Sequence, residues 1–111
     1  MSIQKLKALS LHDHPLNSLS IEFEAAKLIV IVEQYNEESG AYDKVKLCFR
    51  GIDNLNMGFL KTQLKDGCDV EVYSASVTTI GEIHTVDFLI LTGFGEPSAN
   101  LTFDFEEVEI Y

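Results

Sequence analysis

Basic side chains run out early in this sequence: none follows Lys65. Residues 51–111 hold only Lys61 and Lys65 against eleven Asp and Glu, a net of −9. Residues 1–50 hold six Lys and Arg against seven acids, a net of −1. Such a surface repels phosphate, which disfavours binding to nucleic acid and docking on an anionic membrane, and it attracts a basic partner. Proline occurs only twice, which suits extended strands. Cysteine also occurs only twice, at Cys48 and Cys68, too few for a disulfide framework. Two free thiols in a reducing cytoplasm are the expectation. No apolar run reaches the roughly 20 residues of a membrane span. The start Met1-Ser2-Ile3-Gln4-Lys5 has no apolar run behind its charge, so no signal peptide is expected.

What is present is apolar sequence in strand-sized pieces. Hydrophobic residues make up 46% of 111, enough for one core and one domain, 1–111. Leu28 to Val32 is an unbroken apolar run inside 27–35, which predicts a strand buried on both faces near the centre of a sheet. In 43–50, Val45, Leu47 and Phe49 alternate with Lys44, Lys46, Cys48 and Arg50, the pattern of a neighbouring strand with one wet face. The polar stretch Asn36–Tyr42 joins the two. Cys48 falls on the wet face as a semi-exposed filler.

The remaining segments follow the same logic. Ile3, Leu6 and Ala8 do not decide between a helical turn and a strand. Pro15 pushes His14 toward extended geometry. Leu19, Ile21 and Phe23 alternate with polar residues as a half-buried strand running to Glu24. Ile52, Leu55, Phe59 and Leu60 fit one face of a short helix capped by Asp53 or Asn54, or an irregular loop with one helical turn. Asp66-Gly67 marks a turn. Gly81-Glu82 joins strands 70–80 and 83–92 as a second hairpin. Gly93–Ser98 reads as a loop. Leu101, Phe103 and Phe105 change parity to Val108 and Ile110, which calls for a β-bulge near Glu106-Glu107. The sum is a mainly β fold: an antiparallel sheet of about six or seven strands, a sandwich or partly open barrel, with at most one or two short helices. Phe23, Val30, Leu47, Phe49, Phe88, Phe103 and Phe105 form the expected core.

No chemistry-bearing motif stands out. His12-Asp13-His14 would place two imidazoles on one strand face, yet no third metal ligand is implied beside them. If the protein is a metal-binding or small-ligand domain instead, His12 and His14 are the participants, with His84 the remaining histidine. Cys48 has no local context that activates it, and Gly93-Phe94-Gly95 lacks the lysine and third glycine of a phosphate loop. No cofactor and no catalytic residue is expected.

The run Val45-Lys46-Leu47-Cys48-Phe49-Arg50-Gly51-Ile52-Asp53-Asn54-Leu55, with His12-Asp13 or Asp13-His14 upstream, resembles small, largely uncharacterised bacterial proteins, some grouped with immunity proteins of polymorphic toxin systems. The resemblance spans residues 12–55 and transfers no functional residue. It implies a non-catalytic protein that neutralises a toxin. With the charge distribution, it leads to the expectation of a cytoplasmic interaction protein whose acidic half binds a basic protein. Asp104, Glu106, Glu107, Glu109, Asp69 and Glu71 are the candidate contacts, and Glu82 and Asp87 are also expected to face solvent. An uncovered edge strand would allow pairing with a second copy.

Overall fold

The computed structural model describes residues 3–8, 14–58, 70–91 and 97–111. They form one short helix, α1 (Ile3–Ala8), and eight strands: β1 (His14–Glu22), β2 (Lys27–Asn36), β3 (Ala41–Arg50), β4 (Asp53–Met57), β5 (Glu71–Ile80), β6 (Ile83–Leu91), β7 (Pro97–Phe105) and β8 (Glu107–Ile110). All pairings are antiparallel, in one open sheet of order β4-β7-β6-β5-β1-β2-β3-β8. The count is therefore eight strands, not six or seven.

The two hairpins read from periodicity are present. Asn36 closes β2–β3: its side-chain oxygen accepts from the backbone of Glu38 at 2.9 Å, and Gly40 completes the turn at φ +69°. Gly81 opens the β5–β6 turn at φ +63°, a conformation glycine adopts without steric cost. Between them the alternation dictates burial. Leu28, Val30 and Val32 of β2, and Leu47 and Phe49 of β3, all point into the core. So do Val86, Phe88 and Ile90 of β6, and Leu101, Phe103 and Phe105 of β7.

Four expectations are corrected. Residues 53–57 form strand β4, not a helical turn. Asn54 sits at φ +52° within a register shift between Asp53 and Asn56, and the extra residue stretches a strand spacing of two into the three of a helix. Phe59 and Leu60 lie outside the described residues. Phe23 is 79% exposed, because β1 ends at Glu22 and Phe23 opens the turn in which Ala26 N–H bonds back to its carbonyl at 3.2 Å. Cys48 is buried, 2% exposed, although its parity points outward. It is flanked on β3 by Lys46 and Arg50 and faces Ile29 of β2 and Glu109 of β8, so long neighbours shield a short side chain. Ile29 and Ile31 are only half-buried, so β2 is dry on one face rather than two.

The core shows how the sheet is arranged. The ring of Phe49 meets those of Phe88, Phe103 and Phe105 edge-on at centroid distances of 6.0, 4.9 and 4.9 Å. Strands β3 and β6 stand four places apart in the sheet order. In a flat sheet that would be about 19 Å, so the sheet folds back over its own inner face. Edge-on aromatic pairs of this kind add about 0.5–1.5 kcal/mol each beyond burial. The fold-back is made at one bend. Arg50 faces Glu107 and Asp53 faces Asp104, so one antiparallel register runs from β3–β8 through the bend into β4–β7. Glu106 N–H donates to the Arg50 carbonyl at 3.0 Å, and Ile52 N–H to that of Ala26 at 3.0 Å. The parity change after Phe105 is this bend at Glu106, which keeps Phe105 and Val108 both buried. Away from the bend, β1 and β5 touch only at His14–Val72 and Pro15–Glu71.

Candidate partner-binding surface

The fold sorts the acidic residues into three settings. The first is the outer face of β4, β7 and β6. Strand alternation turns Asp53, Asn100, Thr102, Asp104, Thr85 and Asp87 outward while their neighbours fill the core. Asp53 and Asp104 stand opposite one another, an arrangement that would repel. Asn54 resolves it: its backbone N–H donates to Asp53 Oδ1 at 2.9 Å and its side-chain amide to Asp104 Oδ2 at 2.7 Å. Thr85 Oγ1 donates to Asp104 Oδ1 at 2.6 Å. These bonds, Thr85 first and Asn54 second, hold the Asp104 carboxyl below the usual carboxylate range. Asp87 likewise accepts from Asn100 at 2.5 Å and Thr102 at 3.1 Å. Among the described residues this face carries no Lys or Arg, so its carboxylates are held by neutral donors and meet no opposite charge.

The second setting is the outer face of β3 and β8. Here Glu109 lies 3.6 Å from Arg50 Nε, beyond hydrogen-bond reach, and the pair is Coulombic. Glu109 pushes the Arg50 pKa up. The Tyr111 hydroxyl donates to Glu109, and that bond raises the phenol pKa. Lys46 Nζ sits 5.5 Å from the centre of the Tyr111 ring. Glu109 is thus already matched by Arg50 and the Tyr111 hydroxyl of its own chain.

The third setting is a hollow at the bend, lined by Gly81, Glu82, Ile83, His84, Glu106 and Glu107. His84 is only 7% exposed; its Nδ1 lies 2.9 Å from Thr79 Oγ1, and its ring packs on Phe105 at 5.3 Å. Among the described residues no hydrogen bond or ion pair engages the carboxylates of Glu82, Glu106 or Glu107.

The six candidate contacts therefore do not share one surface. Asp104 lies on the first face, Glu106 and Glu107 line the hollow, and Glu109 belongs to the cluster with Arg50. Glu71 opens β5 beside Pro15, in a second hollow with Asn17, Glu33 and Tyr42. Asp69 lies outside the described residues, as do His12, Cys68, the Asp66-Gly67 turn and Gly93–Gly95. His14 begins β1 opposite Val72, and His84 is engaged by Thr79. Among the described residues no group of three His, Cys, Asp or Glu is placed to hold a metal ion. Among the described residues an apolar gap of about 10 Å³ lies between Leu16, Leu19, Val30, Val72, Phe88, Ile90 and Leu101, no larger than one water. No helix among the described residues is long and apolar enough to cross a membrane. Sequence reasoning missed the donors Thr85, Asn54, Asn100 and Thr102. Their signal was outward parity on strands that also carry Asp87 and Asp104. No family model matches the chain, and neither does any curated protein or solved structure.

Proposed function

We propose that this is a non-catalytic, cytoplasmic interaction protein that binds a basic protein, acting as an immunity-type inhibitor of a toxin. One observation carries the reading: Asp53, Asp87 and Asp104 share an outer face that has no cation among the described residues. Hydrogen bonds from Thr85, Asn54, Asn100 and Thr102 hold Asp87 and Asp104 in place. Fixed carboxylates speed encounter with a basic surface and disfavour acidic competitors. The continuous ladder through the bend favours a partly open barrel over two separate layers. An interior filled by Phe49, Phe88, Phe103 and Phe105 supports a protein that works through its outside rather than by enclosing a small ligand. The test is a pull-down from the native host at low and high salt. A basic protein retained at low salt and released at high salt supports the reading. Retention of no protein at low salt would end it.

Besides the sheet ends at β4 and β8, which carry acidic residues, a second copy has an uncharged edge to pair with. Among the described residues no strand joins Ser74–Ile80 on the side away from β6, and this stretch is uncharged. Uncharged strand edges invite pairing. Sedimentation that stays monomeric at high protein concentration would exclude that second reading.

A further inference from the structure

We infer that the hollow beside the β5–β6 turn receives a lysine or arginine side chain of the partner, as the anchor of the complex; this rests on the proposed binding of a basic protein. The hollow measures about 500 Å³, room for one long side chain. Its mouth has one apolar lining side chain, Ile83, with Ile80 beside it. Ile80 and Ile83 pair across the turn and are 80% and 48% exposed, the most exposed aliphatic pair among the described residues. Its walls are acidic, from Glu82 on the turn and Glu106 and Glu107 on the bend, and none of its lining residues is Lys or Arg. Its floor is the buried His84, held against Phe105 and fixed by Thr79. Isoleucine at the mouth over an acidic wall fits a side chain with a hydrocarbon stem and a cationic tip. Guanidinium–carboxylate and ammonium–carboxylate hydrogen bonds are the strong class.

The contrast with the other acids selects this place. Asp87 and Asp104 are satisfied by neutral donors, and Glu109 is answered by Arg50 and Tyr111. Among the described residues Glu22, Glu24, Glu37, Glu38 and Glu71 are likewise without a donor, but Glu82, Glu106 and Glu107 line one hollow together. Exposed isoleucines beside them supply the desolvating contact that turns a charge pair into an anchor. The bend holds the Glu106 backbone through its bond to the Arg50 carbonyl, and the Glu106 side chain lies over Gly51.

The test uses the intact chain and a short capped peptide of alternating arginine and leucine. Its control is the same peptide with citrulline in place of arginine. Calorimetry gives the affinity, and amide chemical shifts give the location. Binding of the arginine peptide alone, with shifts centred on 80–84 and 106–107, is the expected result. The Glu106→Gln, Glu107→Gln double variant should weaken it about tenfold, and Ile83→Ser should do the same. Glu37→Gln with Glu38→Gln, on the exposed β2–β3 turn, should leave it unchanged. Melting curves check that each variant is folded. If Asp87→Asn with Asp104→Asn weakens binding and the hollow variants do not, the anchor is refuted while the affinity for basic partners stands. If the wild-type chain ignores the arginine peptide even at low salt, the anchor and the proposed function fall together.

Discussion

A Cβ added to Gly51 would stand 2.7 Å from Cγ of Glu106, across the bend where the sheet folds back. Gly51 also sits at φ +69°. A side chain there therefore meets two obstacles, a left-handed backbone and an occupied space. Gly40 shares the φ of +69° but has nothing within 4 Å of its would-be Cβ. Gly40→Ala should cost about 1–2 kcal/mol, the backbone term alone. Gly51→Ala should cost more, and pairing it with Glu106→Gly should recover the difference. Urea denaturation of the four proteins measures this. Equal losses for the two alanine variants would show that Glu106 yields freely.

Phe49 is the centre of the core, in edge-on contact with Phe88, Phe103 and Phe105. Phe49→Ala and Phe103→Ala should each cost about 3–5 kcal/mol, read from chemical denaturation. Phe23→Ala should change stability by no more than about 0.5 kcal/mol, since the ring lies in solvent.

Asp104 gives the acid limb of the stability curve a definite sign. Its folded pKa is depressed by Thr85 and Asn54, so the unfolded chain binds the proton more readily. The stabilisation is present above the unfolded value of about 3.9 and is lost as pH falls through the lower folded value. Stability should therefore rise with pH across that window. Asp104→Asn should flatten the rise, and Asn54→Ala should shift the carboxyl resonance titration upward. An unchanged titration in Asn54→Ala would remove Asn54 as a cause.

Tyr111 acts in the opposite direction. Its pKa is raised because its hydroxyl donates to Glu109, so this contribution is present below the ordinary phenol value of about 10 and fades as pH rises through the higher folded value. Glu109→Gln should bring the ultraviolet titration of Tyr111 down. A titration that does not move would show the bond has no weight in solution.

Cys48, at 2% exposure, should react with a thiol reagent far more slowly in the native protein than in urea. Equal rates would place it on an open face.

Much of this fold is readable from alternation alone, because burial on one side of a strand writes itself into every second residue. The hairpins 27–50 and 71–91 and the phenylalanine faces of β6 and β7 are of that kind. The failures share a cause: they arise where alternation is interrupted or where distant strands act. The left-handed Asn54 makes a strand imitate helical spacing. Phe23 keeps the parity of β1 after the strand has ended. Cys48 follows parity faithfully but is covered by neighbours from β2 and β8. The surface was less legible than the core. Asp104 depends on Thr85 and Asn54, which come from other strands, and nothing local links Glu82 to Glu106.

The bend also has a consequence for how the chain is made. Its ladder joins residues 47–57 to residues 101–110, so the two halves of the sheet are stitched by the most distant partners in the strand order. Phe49 is synthesised early and has no ring to meet until Phe88, Phe103 and Phe105 exist. The hairpin 27–50 therefore keeps its apolar face uncovered until residues 86–105 have followed it, and pairing between partners so far apart in the chain is slow.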